Sequence, residues 1–131
     1  MAFKVKRDPL DALFSDYIRA RDGHTCRRCG RRHGKLEAHH IISRRYNATR
    51  YLGINGVTLC FACHRWVHEK PLAATEWIKS WMAAEDILEL DMMTQTPGKK
   101  ARDYERGIIK AALMQRITEL EGDHETRRED G

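Results

Sequence analysis

The sequence lacks the long apolar stretches of membrane and exported proteins. No apolar run approaches the roughly 20 residues that span a bilayer, and residues 1–7 lack the apolar core of a signal peptide. We therefore expect a cytoplasmic protein that is not inserted in a membrane. Thiols stay reduced in that compartment, so the paired cysteines of this chain indicate bound metal rather than disulfides. A thioredoxin-like redox role for one pair would leave the other pair unexplained.

Large aliphatic side chains are scarce in the first 70 residues, and the sequence has no internal repeat. With 131 residues the chain has the length of one domain. A domain of this size buries about two-thirds of its unfolded surface. A small core with few aliphatics needs another source of stability, for which a bound metal is a common solution. The first half is therefore predicted to fold around metal.

The net charge of +5 is unevenly distributed along the chain. Residues 1–70 hold 15 Lys and Arg against 6 Asp and Glu, a net charge of +9. Residues 71–131 hold 9 against 13, a net charge of −4. A strongly basic half predicts a polyanionic partner, with nucleic acid first and an anionic membrane surface second.

The order of the predicted elements indicates an α+β fold. The first helix begins with Asp8 as its N-cap and Pro9 in its first turn, and it ends near Gly23. It is followed by a strand over 36–42, a polar loop over 43–52, a turn at Asn55-Gly56, a strand over 57–59 and a helix over 61–69.

Beyond Pro71 the apolar residues recur at helical spacing. This pattern predicts a helix capped by Thr75, a helical segment over 87–93, a break over 96–100 and a final helix from Tyr104. The last ten residues are charged and predicted to be disordered. We divide the chain into a module at 1–71, a helical extension at 72–121 and a disordered tail at 122–131. The extension packs on the module or offers a surface for a protein partner or for self-association.

Four cysteines form two C-x-x-C pairs, Cys26 with Cys29 and Cys60 with Cys63. Thiolates at this spacing share one ion when the backbone turns sharply between them, and Gly30 permits such a turn. Four thiolates complete a tetrahedral zinc site and leave no position for substrate. We predict a structural zinc site here.

Four histidines suggest a second metal site of a different kind. His64 and His68 lie four residues apart on one helix, so both imidazoles reach the same ion. His39 and His40 are adjacent on a strand and point to opposite faces, so only one of them joins that ion unless the strand bulges. Three nitrogen ligands leave positions open, as a catalytic metal requires.

These residues together resemble the HNH nucleases of the ββα-metal class, in the form with two C-x-x-C pairs found among phage, prophage and restriction-type proteins. The resemblance covers residues 26–68 and is carried by Leu36-Glu37-Ala38-His39-His40-Ile41-Ile42, Asn55, and Cys60-x-x-Cys63-His64-x-x-x-His68. It implies a zinc-stapled ββα-metal module flanked by an N-terminal helix and a C-terminal helical extension. A phage or prophage origin, and hence a bacterial host cytoplasm, would follow.

The resemblance also implies a role for each position. His39, His64 and His68 would hold a catalytic divalent ion such as Mg²⁺, Mn²⁺, Ni²⁺ or Zn²⁺. His40 would be the general base, Asn55 would hold the loop and orient that base, and Glu37 would stand beside the metal site. Gly56 departs from the family, which usually has an aliphatic residue after this Asn.

Arginines near the site are candidates for phosphate contacts, because a guanidinium binds a phosphate bidentately without reading bases. The candidates are Arg44, Arg45, Arg50 and Arg65, with the arginines around the first cysteine pair either phosphate-facing or solubilising. The leading hypothesis is a metal-dependent HNH-type deoxyribonuclease that hydrolyses phosphodiester bonds. The alternative is a non-catalytic, zinc-stabilised nucleic-acid-binding module, which would have no need of His40.

Overall fold

A computed structural model describes residues 7–95 and 98–129, with side chains described up to residue 122. The fold is α+β, as predicted: the described residues form five α-helices and one two-stranded antiparallel sheet. None of the described helices is both long enough and apolar enough to cross a membrane.

The first helix, α1 (Pro9–Arg21), begins where the sequence predicted. Asp8 is its N-cap, and the Asp8 carboxylate accepts a hydrogen bond of 2.8 Å from the backbone N–H of Leu10. The chain leaves the helix through Gly23, whose φ of 64° is a left-handed conformation that glycine adopts without strain. One face of α1 is buried, with Phe14 and Ile18 fully enclosed.

The sheet pairs β1 (Leu36–His40) with β2 (Gly56–Cys60), and His39 lies opposite Val57. The first strand is two residues shorter than predicted. The reason is that the backbone of Ile42 bonds to the side chain of Asn55 instead of continuing the ladder. A 3₁₀ turn at Gly53–Asn55 leads into β2, whose five residues are all buried.

Two helices follow the sheet without a long connection. The first, α2 (Phe61–Glu69), has the predicted bounds, and α3 (Pro71–Trp81) begins directly after Lys70. The prediction that Thr75 caps α3 is wrong, because Pro71 already occupies the first turn. Thr75 lies one turn further on, where its hydroxyl donates to the carbonyl of Pro71 at 2.9 Å.

The last two helices are α4 (Ala84–Met93) and α5 (Asp103–Glu129), and α5 packs along α1. Part of the predicted break, Thr96 and Pro97, lies outside the described residues. The backbone of α5 continues to Glu129, past the boundary at 121 where a disordered tail was predicted; Asp130 and Gly131 are not described. This stretch contains no proline that would end the helix.

The core has two parts, one on each side of the sheet. Val57, Leu59 and Val67 pack with three of the cysteines, and the tryptophans of α2 and α3 cover this cluster. On the other side, Phe14 and Ile18 of α1 pack against Leu113 of α5. The sheet is therefore held between a layer that contains the cysteines and a layer built mainly from α1 and α5.

The packing around Gly56 explains why this chain has glycine where an aliphatic residue was expected from the resemblance. A Cβ atom placed on it would lie 2.6 Å from Cδ1 of Ile18 and 3.0 Å from Cζ of Phe14. Both side chains are fully buried and have little room to move. The missing side chain thus lets α1 approach the start of β2.

Candidate metal centres and active cleft

The four cysteines come together as predicted, although they belong to two distant parts of the chain. Cys26 and Cys29 lie in the turn after α1, Cys60 ends β2, and Cys63 lies in the first turn of α2. Their sulfur atoms all lie within 4.8 Å of one another, and Cys29 and Cys60 are 3.6 Å apart. Zinc–sulfur bonds of about 2.3 Å in a tetrahedron place sulfurs about 3.8 Å apart. The donor set therefore fits one zinc ion.

The thiol pKa values show how these four groups affect one another. Burial raises the pKa of Cys26, but backbone N–H groups of Cys29, Cys60 and Arg28 outweigh it and lower the value to about 6. Burial, together with the neighbouring thiols, raises the pKa of Cys63 to about 12. Several adjacent thiolates repel one another unless a cation neutralises them. A dication coordinated by all four would remove that conflict.

The second cluster brings together His39, His64 and His68. Each offers a ring nitrogen, and these atoms lie within 4.8 Å of one another. The ring centroids of His39 and His64 are 5.1 Å apart, and those of His64 and His68 are 4.9 Å apart. His68 is exposed while the other two are half-buried, so the cluster is open on one side. Three imidazoles with an open side are a donor set that fits a catalytic divalent ion.

Two features prepare this cluster for a metal. Burial, with added repulsion from His64, His68 and His40, lowers the pKa of His39 to about 3, so that its ring is neutral at physiological pH. The carboxylate of Glu37 lies 2.9 Å from Nδ1 of His64. A carboxylate at this position orients the imidazole and leaves the other nitrogen for the ion. Glu37 thus stands beside the cluster, where the resemblance placed it.

His40 lies on the other face of β1, as the alternation along a strand predicted. Its ring stacks on Phe14, with centroids 4.9 Å apart and planes inclined by 28°. Its Nε2 is 2.9 Å from the backbone oxygen of Arg50. A carbonyl oxygen only accepts, so Nε2 carries the proton. Burial lowers the pKa of His40 below its usual value, against the opposing effects of the Arg50 carbonyl and of Asp11.

Asn55 fixes the loop between the two strands. It is fully buried, its Oδ1 accepts from the N–H of Ile42 at 2.7 Å, and its Nδ2 donates to the carbonyls of Ile42 and Thr49 at 3.1 and 3.0 Å. One side chain therefore closes both ends of the polar loop. Asn55 thus contacts the loop that it was expected to hold, and its expected role in orienting His40 stays a prediction.

The predicted phosphate-binding arginines are not equivalent. Arg50 points inward and forms a bidentate pair with the buried Asp11. Arg65 pairs with Glu69 and is 68% exposed, whereas Arg44 is 58% exposed and lies 3.3 Å from Asp11. Arg45 is exposed beside Tyr46. Arg50 thus serves the fold, and the other three are free to meet a ligand on their exposed sides.

Two arginines around the first cysteine pair contact tryptophan rings. The guanidinium of Arg28 lies 3.6 Å from the ring centroid of Trp66, and that of Arg27 lies 4.0 Å from that of Trp81. Arg28 also lies 3.5 Å from the sulfur of Cys63. These cation–π contacts attach α2 and α3 to the cysteine-bearing turn.

One cleft of about 540 Å³ contains both histidine groups. It is lined by His39, His40, His64 and His68, by residues of α3, and by Arg7, Asp11, Ser15 and Arg44. The sequence motifs did not place α1 in this cleft. In the sequence, Asp11 is an ordinary acidic residue in the first turn of a helix, and only the tertiary packing of α1 on β1 brings it to the site.

Residues 26–70 match the family model described as HNH endonuclease. The matched range holds both metal-ligand sets, His40 and Asn55, while α1 and the helices after residue 70 lie outside it. The resemblance predicted from the sequence is thereby confirmed. No curated protein and no solved structure matches the chain. The family match supports a function of the nuclease type with a nucleic-acid substrate.

Proposed function

We propose that the HNH endonuclease segment at residues 26–70 makes this chain a metal-dependent deoxyribonuclease. The observation that carries the proposal is the cleft in which two differently prepared histidine groups meet. The cluster of His39, His64 and His68 has the donor set for a divalent ion. His40 lies apart from that cluster, on the other face of the strand, and would accept a proton.

His40 would act as general base through Nδ1. Its Nε2–H is engaged with the carbonyl of Arg50. Its Nδ1 has no hydrogen-bond partner among the described residues, and His40 is one of the residues that line the cleft. Nδ1 would take a proton from the water that attacks phosphorus. The bond from phosphorus to the 3′ oxygen would break, and the leaving 3′ oxygen would take a proton from solvent water. By the family resemblance, the products carry a 5′-phosphate and a 3′-hydroxyl.

A divalent ion held by His39, His64 and His68 would stabilise the charge that develops on the phosphoryl and leaving oxygens. The protein's own part is to keep His39 neutral by burial and to orient His64 through Glu37. Arg44 and Arg7, both in the cleft wall, would meet the phosphates of the bound strand. Arg45 and Arg65 would extend that basic surface.

Cleavage of supercoiled plasmid tests the proposal, with Mg²⁺, Mn²⁺, Ni²⁺ and Zn²⁺ supplied in turn. His40→Ala should bind DNA like the wild type and cleave about 10²- to 10⁴-fold more slowly, since that is the usual contribution of a general base. His33→Ala is the matched control, because His33 is exposed and lies outside the cleft lining. Binding without cleavage by the wild type with every metal would contradict the proposal and favour a non-catalytic binding module.

A further inference from the structure

We infer that Asp11 of α1 is a positioning residue for His40: it holds Arg50 so that the Arg50 carbonyl receives the imidazole N–H. The inference rests on the proposed function in one respect, the role of His40 as base. It extends the site to a helix that lies outside the matched segment. The chain of contacts runs from Asp11 to the side chain of Arg50, and from the backbone of Arg50 to His40.

The first contact is a bidentate ion pair. Oδ1 of Asp11 accepts from Nε of Arg50 at 3.0 Å, and Oδ2 accepts from Nη2 at 2.5 Å. The side chain of Asp11 is only 4% exposed, so solvent screens the pair weakly. A fork-to-fork pair of this kind fixes the guanidinium in orientation as well as in distance. Arg44 adds a weaker contact to Oδ2 at 3.3 Å.

The second contact transfers that order to the imidazole. The backbone oxygen of Arg50 lies 2.9 Å from Nε2 of His40. The preceding residue, Thr49, is held through its own carbonyl by the amide of Asn55 at 3.0 Å. Residue 50 is therefore constrained by its side chain on α1 and by its neighbour at the loop base. A carbonyl held in this position fixes the tautomer of His40 and directs Nδ1 toward the cleft.

The same helix also restrains the plane of the ring. Phe14 lies three residues after Asp11, on the same side of α1, and stacks on His40 at 4.9 Å. The ring is thus limited at its edge by the Arg50 carbonyl and at its face by Phe14. Both restraints originate in one turn of α1.

A third carboxylate of α1 separates this role from simple ion pairing on the helix. Asp8 does not serve for this purpose, because it lies 3.6 Å from Arg50 as well as 2.7 Å from Arg106 of α5. Asp16 also binds an arginine, but its partner is Arg19, one turn further along α1. Asp16 is outside the cleft lining, so it is a control carboxylate that makes an ion pair of its own.

The kinetic test compares Asp11→Asn with Asp16→Asn in the full chain, both loaded with zinc. Asp11→Asn should lower kcat for plasmid cleavage about 10- to 100-fold, the size expected when a catalytic group is misplaced by about 1 Å. Its KM for DNA should stay near the wild-type value. Asp16→Asn should leave kcat unchanged, and Asp11→Glu, which keeps the charge, should recover part of the rate. Equal kcat in Asp11→Asn and the wild type would overturn the inference.

A spectroscopic test keeps the inference separate from the nuclease proposal. Nitrogen-15 NMR of the histidine rings should show His40 as a single Nε2–H tautomer in the wild type and as a mixture in Asp11→Asn. Arg50→Lys, which keeps the charge but loses the fork, should give the same mixture and substitutes for Asp11→Asn if that variant fails to fold. An unchanged tautomer in a folded variant would overturn the inference. The two proposals can also fail separately. If the wild type shows the single tautomer, Asp11→Asn shows the mixture, and the wild type never cleaves DNA, the positioning role is supported and the proposed activity is refuted.

Discussion

The cysteine site and the histidine site are built from the same strand-and-helix unit, yet they differ in what they need from the rest of the chain. Cys60 and Cys63 sit at the junction of β2 and α2, and their partners lie in one tight turn. The donor set is complete in itself and is closed to substrate. The histidine cluster is open, and the group beside it, His40, depends on a loop and on a helix from outside the matched segment.

This difference separates the needs of folding from those of reactivity. A structural zinc site requires four donors at the right separation, which short local motifs supply. The proposed base, His40, would require a fixed tautomer and a fixed direction, and long-range contacts with Arg50 and Phe14 restrain its ring. Loss of the cysteine site should unfold the protein. Loss of the contacts that support His40 should lower only the rate of cleavage.

Removal of a predicted zinc ligand should have the largest effect of the changes considered. Cys63→Ser replaces a thiolate with a poor zinc ligand and should unfold the segment around the sheet, since structural zinc contributes about 10–16 kcal/mol of apparent binding energy. That exceeds the usual net stability of a domain, about 5–15 kcal/mol. Zinc content by mass spectrometry, together with circular dichroism, measures the result. A variant that lost zinc but kept the native spectrum would show that the helical layer suffices for the fold.

The difference between the two sites also explains how much the sequence alone could predict. The C-x-x-C pairs, the His64–His68 spacing and the alternation of His39 and His40 are local patterns, and the geometry agrees with each of them. The helix over 61–69 was predicted to the residue, with Pro71 as the signal for its end, and the structure adds Cys60 as its N-cap.

The features that the sequence did not indicate depend on tertiary contacts. Arg50 was assigned to phosphate, but a buried carboxylate 39 residues earlier binds it. The strand end at His40 depends on Asn55, and the start of α3 depends on Pro71 rather than Thr75. Neither Asp11 nor Phe14 carries a motif. The division at residues 71 and 121, self-association, cytoplasmic location and phage origin stay predictions.

Removal of a predicted ligand from the histidine cluster should affect cleavage and leave the fold intact. His39→Ala should keep the zinc of the cysteine site and the native circular dichroism, and it should lose cleavage. The expected loss is several kcal/mol of transition-state stabilisation, which corresponds to about 10²-fold or more in rate. Plasmid cleavage and metal content per chain measure the two effects. Cleavage at the wild-type rate would show that the catalytic ion is held elsewhere.

The contact between α1 and the sheet can be disturbed without replacing His40 or any of the predicted metal ligands. Gly56→Ala places a Cβ atom against Ile18 and Phe14, both fully buried. Overpacking of this kind costs about 1–3 kcal/mol. Gly107→Ala in α5 is the matched control, because its Cβ would meet nothing within 4 Å; there a gain of about 0.5–1 kcal/mol is expected from helix propensity. Denaturant unfolding at saturating zinc measures both. If Gly56→Ala were as stable as the wild type, α1 would have moved away from the sheet at no cost in free energy. Cleavage by Gly56→Ala should then fall.

The smallest expected effect concerns the attachment of α5, which packs along α1. Asp8 pairs with Arg106, and that hydrogen bond, with further contributions from Leu10 and Arg50, lowers the pKa of Asp8 against the opposing effect of burial. Because the folded state favours the carboxylate, this stabilisation is present above the usual pKa of 3.8 and is lost as pH falls through the folded value.

The two side chains of that pair are 26% and 33% exposed, so the coupling energy should be only about 0.2–1 kcal/mol. A double-mutant cycle of Asp8→Asn and Arg106→Gln at pH 7 measures it, and Arg102→Gln is the control, since Arg102 is an exposed arginine at 3.8 Å from Glu105. Because Asp8 also caps α1, Asp8→Asn alone tests the cap little, as asparagine caps nearly as well. A coupling energy above this range, together with a fall in kcat, would show that α5 influences the cleft through α1. The support of His40 would then involve two helices rather than one.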